Sequence, residues 1–399
     1  MLALGAEHRS HRKLPRRDGS DATLGAMRSA LTTWVGVQRA ALVALRRADS
    51  TISDTRRRIR GRFARNDAAD SVQRGELGFE ERTAHVADRL VATTSALTRR
   101  LRRDRRILSL TLDQVWGDAF QMYDAVVYAS YEQGAIWAKE AQQQARPLVW
   151  DTLLDLHARA CRTASEIGAL QRSGHPVGAV ARHRSLHELA VVAFVLQGAD
   201  EEITRRFRDY EAVEQYQDAQ HYQRHVSTLG YGPLPEDEVE TLRLRHDEVV
   251  ARWGQEIKKP NGWAAPLASQ NSGSISFAWL EQTAGLGHLH PFYRYGSHAV
   301  HGGPRSSSIQ RAEINGVAHR MPGATVFSDL AETAHGALIS VQQVNSALMI
   351  ERLRASDLDE RSVVAVGAVG QLVERAGSLY GAAADLARSR GWFFHSPDA

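Results

Sequence analysis

Arginine, glutamate, histidine and serine recur at helical spacing in two short stretches, Arg182-His183-Arg184-Ser185-Leu186-His187-Glu188-Leu189 and Tyr293-Arg294-Tyr295-Gly296-Ser297-His298-Ala299-Val300-His301. These are the residue types from which acid–base chemistry without a metal is built. Residues three and four apart share a helix face, so Val180, Arg184, His187, Glu188, Val191 and Val195 line up on one side. Arg184 and Glu188 therefore interrupt an apolar stripe. Buried charge is costly unless paired, so the pair either ties neighbouring helices together, with partners such as Glu166 on the preceding helix, or marks a site. In the second stretch Tyr293, Ser297, Val300 and His301 share a face and His298 lies beside it. Histidine titrates near neutrality, and His301 in the last turn sits where the helix dipole favours the protonated ring. Next to the Ser297 hydroxyl, His301 and His298 could act as acid and base on a phosphodiester, with Arg184 binding phosphate and Glu188 orienting it. His187, Tyr293, Arg294 and Trp263 are the candidate ligand contacts. The alternative is a structural cluster, since histidines at helix ends also cap carbonyls. One pocket relieving both desolvation costs would bring the two stretches together across more than 100 residues of chain.

Other chemistries find little support. His288, His290, His298 and His301 lack an acidic or cysteine companion at metal-ligand spacing, so no metal is expected. Cys161, the single cysteine, lies among Leu154, Ala158 and Ala164 and reads as a small buried hydrophobe. It leaves no intrachain disulfide to form and fits a reducing compartment. There is no Gly-x-Ser-x-Gly elbow, no Walker loop and no Gly-x-Gly-x-x-Gly fingerprint, and no cofactor is expected.

The elements that must carry these residues read as helices almost throughout. Apolar positions recur at three and four from Asp21 to about Arg65, from Phe79 to Arg106 and again after Thr111, where Trp116, Phe120, Tyr123, Tyr128, Tyr131 and Trp137 form an aromatic stripe. The first two suggest an antiparallel pair joined by the polar Asn66–Gly78. Further helices are expected from Pro147 to Gln171, Val177 to Gln197, Glu201 to Thr228, Glu236 to Gly254, Ile275 to Gly285, Pro291 to His301, Ser328 to Arg354 and Glu360 to Arg390. Gly174 followed by Pro176 is a stop-and-start signal between two of them. Lys258–Ser274 reads as loop. A single hairpin, Ile309–Ile314 with Val317–Met321, is expected around Asn315-Gly316. The fold class is thus all-α, a multi-helix bundle with at most one short β-hairpin, divided into a tail (1–20), a basic helical region (21–110) and a bundle domain (111–399).

Charge is distributed unevenly. Residues 1–110 hold 24 Lys and Arg against 12 Asp and Glu, while the remainder holds 26 against 34. The excess is arginine, in clusters at Arg56-Arg57-Arg58-Ile59-Arg60 and Arg99–Arg106. Such clusters either form solvated helix faces or contact phosphates with steep salt dependence. The apolar run Leu189–Leu196 falls far short of the roughly 20 residues that span a bilayer. Met1–Ser20 has no apolar core of a secretory signal. A cytoplasmic protein without membrane contact is expected, with RNA or a nucleotide, and a second copy of itself, as the partners left open.

The run Gly178–Ala193 with its Arg184-Ser185-Leu186-His187-Glu188-Leu189, then Asn261-Gly262-Trp263-Ala264, then Tyr293, Ser297-His298 and His301, resembles a bacterial family, domain-of-unknown-function family 5677, over about residues 150–350. The resemblance implies a fold and a site position rather than an activity. More distantly the chain is similar to the HEPN (higher eukaryotes and prokaryotes nucleotide-binding) superfamily, helical bundles that include metal-independent ribonucleases marked by an Arg, four to six residues, then His. Arg294 and His301 have this spacing, as do Arg182 and His187. That likeness implies a HEPN-like ribonuclease or an RNA- or nucleotide-binding protein; the rival reading is a non-enzymatic helical scaffold.

Overall fold

Helix α1, Phe79–Ala141, runs unbroken for 63 residues through the stretch between Arg106 and Thr111 where the apolar pattern alone suggested two separate elements. Nothing there is a breaker: Ile107-Leu108-Ser109-Leu110 contains neither proline nor glycine, and its residues carry the helix forward. The computed structural model describes residues 79–141, 147–268, 275–309, 312–314, 317–319, 330–354 and 360–390. The expected helix 21–65, its pairing with α1, the Arg56–Arg60 cluster and the Asn315-Gly316 turn lie outside them. Contacts divide the chain into Met1–Leu97 and Thr98–Ala399. Of the first unit the described part is the opening of α1, which is almost entirely exposed.

In the second unit α2 (Leu148–Arg172), α3 (Pro176–Gly198), α9 (Leu330–Arg354) and α10 (Glu360–Ser389) pack as a bundle, α3 against α2 and α9, and α9 against α2 and α10. Pro176 opens α3 in the first turn, where its missing N–H costs nothing. Gly174, at φ 74°, makes the tight reversal from α2. The far half of α1 closes the core with Trp116, Phe120, Tyr123 and Trp137. The Tyr123 hydroxyl donates to the Ala164 carbonyl at 2.8 Å, and Trp137 Nε1 donates to the Ser362 hydroxyl at 3.2 Å. Tyr128 and Tyr131 do not join this stripe: they are 66% and 58% exposed. Five residues beyond Tyr123 is 500° of helical turn, which carries Tyr128 off the buried face.

α4 (Glu201–Leu229) and α5 (Glu236–Trp253) form a charged helical pair. Asp200 caps α4 by accepting from the Ile203 N–H at 3.0 Å. Part of the expected loop after α5 is instead two 3-10 turns, Gln255–Lys258 and Gly262–Leu267. Then come α6 (Phe277–Thr283), a 3-10 turn at Gly287–Leu289, α7 (His290–Val300) and α8 (Pro304–Ile309). The described strand residues are β1 Ala312–Ile314 and β2 Val317–His319, antiparallel with Ala312 opposite His319, and Ile309, expected to open the first strand, instead ends α8. No helix among the described residues is long and apolar enough to cross a membrane.

Candidate functional site

α7 crosses α3 where Gly296 faces Arg184. A Cβ on Gly296 would lie 2.9 Å from the Arg184 Cβ, so only glycine permits this approach. The close crossing places Tyr293 of α7 and His301, the residue that follows its last turn, on either side of one guanidinium. Arg184 Nη2 donates to the Tyr293 hydroxyl at 2.9 Å, and Nη1 meets His301 Nε2 at 3.3 Å. A guanidinium has only donors, so His301 Nε2 must be the acceptor. His301 is also not in the last turn, as the spacing suggested, but is the residue that caps it, exposed, with its own N–H bonded to the Ser297 carbonyl at 3.0 Å. Glu188 pairs with Arg184 at 3.2 Å, and the Arg184 carbon Cζ stands 4.8 Å above the Tyr293 ring. Glu166, expected as the partner of Arg184, pairs with Arg182 instead, at 2.5 Å.

These residues border a pocket of about 210 Å³ between α3, α7 and α9, lined by His183, Arg184, His187, Phe292, Tyr293 and His335 among others. Three of its wall residues stand out. Arg184 Nε and His335 Nε2 are buried without a hydrogen-bond partner. His183 presses on Gly336 of α9, where a Cβ would come within 2.7 Å of its ring, and desolvation with His187 nearby lowers its pKa to about 4 against a bond to the Gly336 backbone. His183 is therefore neutral at physiological pH. Burial likewise lowers His187, opposed by a hydrogen bond and the charge of Glu281, and raises Tyr293, opposed by its bond from Arg184.

Glu281 and His290 were not singled out as site residues by sequence. The Glu281 carboxylate, fully buried, is held by His187 Nε2 on one oxygen at 2.8 Å and by His290 Nδ1 on the other at 2.5 Å. α6 delivers it there: Ser276 caps the helix by accepting from the Trp279 N–H at 3.2 Å, and Phe277 stacks on Tyr293 at 4.4 Å. An isolated glutamate in a short helix, 94 residues from its histidine, leaves no periodic trace.

The structure thus joins Arg184, Glu188, His187, Tyr293 and His301. Ser297 is nearby, but its hydroxyl is bonded back to the Tyr293 carbonyl at 3.0 Å. Arg294 is exposed and His298 half-buried, and neither has a polar partner among the described residues. Trp263 stands elsewhere, buried against Phe207 of α4 at 5.1 Å. Its motif builds a turn: Asn261 adopts φ 56° and donates to the Ile275 carbonyl at 2.9 Å, and a Cβ on Gly262 would strike the Glu256 carbonyl at 2.3 Å. Arg206 bonds the Gly262 and Trp263 carbonyls from α4. Among the described residues no three potential ligands gather to hold a metal. Arg99, Arg102, Arg103, Arg105 and Arg106 are exposed on α1. Cys161 is buried beside His157, with its thiol pushed up to about 12 by desolvation.

Comparison with known proteins returns one match. Residues 151–313 fit the model of a family of unknown function, DUF5677. The matched segment carries the α3 and α7 walls of the pocket and the α6 glutamate behind them, whereas α9, the remaining wall, lies beyond it. No curated protein and no solved structure matches, and the HEPN likeness has no counterpart in these results.

Proposed function

We propose that the pocket is a metal-independent acid–base site of HEPN-like kind that binds and cleaves RNA in the cytoplasm of a bacterium. The observation that carries this reading is Arg184, a cation on the pocket wall whose Nε is buried without a partner and whose Nη1 is held by an exposed histidine that a phosphate can displace, while Nη2 keeps Tyr293 and the half-buried Glu188. Phosphate oxygens suit a guanidinium fork. A phosphate that takes the Nη1 donor frees His301 Nε2 to bind a proton and pass it to the leaving oxygen. Tyr293 and Phe292 offer rings on which a base can stack.

The test is cleavage of single-stranded RNA in excess chelator. His301→Ala is expected to abolish it with the melting temperature nearly unchanged, and Arg184→Ala to abolish both cleavage and RNA retention. Wild-type protein that neither cleaves nor retains RNA overturns the reading. The scaffold reading is favoured by one observation: the same bundle buries a second histidine cluster, around His157, whose hydrogen bonds close on one another.

A further inference from the structure

A buried carboxylate gripped by imidazoles on both oxygens is an arrangement the binding of a phosphate does not require. Glu281 has no solvent exposure, and the side chains that bond it among the described residues are His187 and His290. We propose that His187 is the base of the cleavage reaction, Glu281 its positioning residue and His290 the link from that pair to solvent; this rests on the RNA-cleaving reading above.

The two nitrogens of His187 have different surroundings. Nε2 faces the Glu281 carboxylate, which only accepts, so the ring proton sits on Nε2 and the lone pair on Nδ1. Nδ1 has no hydrogen-bond partner among the described residues. Yet it is not among the sealed, unpartnered atoms, although the residue is 3% exposed and forms part of the pocket wall. The lone pair therefore opens on the pocket. His187 is one helical turn from Arg184 on the same face of α3, so a phosphate on the guanidinium brings the adjacent sugar hydroxyl toward Nδ1. His301 stands on the other side of Arg184, which separates base from acid. His298, the base suggested by the sequence, has no comparable support.

In the step this geometry serves, the sugar 2′-oxygen forms a bond to phosphorus as its proton passes to His187 Nδ1. The bond from phosphorus to the 5′-oxygen breaks with its electron pair, and that oxygen takes a proton from His301. Glu281 then faces an imidazolium and stabilises it, as a carboxylate behind a histidine does in a triad. His290, on the second carboxylate oxygen, is 36% exposed and ties the buried charge to solvent. The titratable groups around His187 are His183, Arg184 and Glu188 on α3, Glu281 on α6, His290 and Tyr293 on α7, and Glu332 and His335 on α9. Of these, Glu281 is the one bonded to its ring.

The experiment measures kcat and KM for a short single-stranded RNA in chelator from pH 5 to 9, with melting temperatures alongside. His187→Gln is expected to lower kcat by about 10²-fold or more with KM little changed, the usual loss for a general base. Glu281→Gln should lower kcat less and displace the acidic limb of the profile, a shift that a purely structural role does not produce. Should His187→Gln fail to fold, His187→Ala with added imidazole and the Glu281→Gln profile decide: rescue and a displaced limb support the proposal, their absence overturns it. Cleavage by His187→Gln with the wild-type kcat and profile overturns the base assignment and leaves the RNA-cleaving reading intact. An inactive wild type overturns both.

Discussion

His157 on α2 and Arg184 on α3 stand on adjacent helices of the same bundle, and each anchors a cluster of polar side chains. Around His157 the bonds close. Its Nε2 meets the Asn345 carbonyl oxygen at 2.8 Å, Asn345 Nδ2 donates to the Ser130 hydroxyl at 3.1 Å, and the histidine ring rests on Gly134. Around Arg184 they do not: one nitrogen is sealed without a partner, another is shared with an exposed histidine, and a pocket opens alongside. Satisfied polar networks hold helices in register, whereas an unsatisfied buried donor is expensive enough to need an explanation. The same residue types thus form one closed cluster and one open one, and whether the hydrogen bonds close is what separates them.

The sharpest way to break this contrast is to remove the histidine from the closed cluster. His157→Ala strands Asn345, Ser130 and a cavity facing Trp137, whose ring lies 6.2 Å away. By the usual costs of core truncation and unpaired buried groups it should lose about 3–5 kcal/mol, read from urea unfolding. RNA cleavage per folded molecule should be unaffected. A loss below about 1 kcal/mol would mean that the cluster does not tie the helices.

Acid offers a gentler probe of the same cluster. Desolvation lowers the His157 pKa to about 4, opposed by its bond to Asn345. The unfolded ring binds a proton below about 6.5, so between about 6.5 and 4 the unfolded chain holds the extra proton and stability falls as pH falls. The full depression is worth about 3 kcal/mol at 1.36 kcal/mol per unit. His183, lowered to about 4 in the pocket wall, adds in the same direction. Replacing His157 with glutamine should flatten the stability profile in this window. An unchanged slope would show that His157 is not buried in the neutral form.

Arg184 should behave in the opposite way. Its side chain is 19% exposed and its bonds go to Tyr293, Glu188 and His301. Arg184→Ala is expected to cost only about 1–2 kcal/mol, within the range for a partly exposed hydrogen-bonded charge, while ending cleavage and retention of RNA. A loss as large as that of His157→Ala, with function kept, would place both clusters in the structural class.

The sequence showed much of this scaffold because periodicity records which face of a helix is buried, and α2, α3, α9 and α10 follow it to within a few residues of the expected ends. It also singled out Arg184 and Glu188, because charge on an apolar face is conspicuous, and Tyr293, which the structure brings beside them. It could not show Glu281, whose burial is created by its tertiary neighbours and not by its own short helix. Nor could it separate Trp263 from the site. A tryptophan after Asn-Gly in a loop looks like a ligand platform until Gly262 is seen pressed against a carbonyl. Histidines on glycines were equally hidden. His157 on Gly134, His183 on Gly336 and His335 on Gly377 each pair residues from different helices, and the glycine alone reads as a weak point in a helix.

The smallest effect on stability is expected from the arginines of α1, and under the proposed function they separate binding by the pocket alone from binding that also uses α1. Arg99, Arg102, Arg103 and Arg106 recur at three and four, so they share one face, and all are exposed. Exposed charges away from pairs contribute little, so replacing all four with glutamine should change unfolding free energy by about 0.5 kcal/mol or less. If they touch phosphates, each releases counterions on binding, and the slope of log affinity against log salt for single-stranded RNA should fall by about 0.7 per arginine, or roughly 3 for the set. Cleavage at saturating RNA should stay at the wild-type rate, because the groups proposed to react lie on α3 and at the end of α7. A lower kcat at saturation would bring α1 into the chemistry. An unchanged salt slope would make its arginine face an ordinary solvated surface and leave the pocket as the proposed RNA contact.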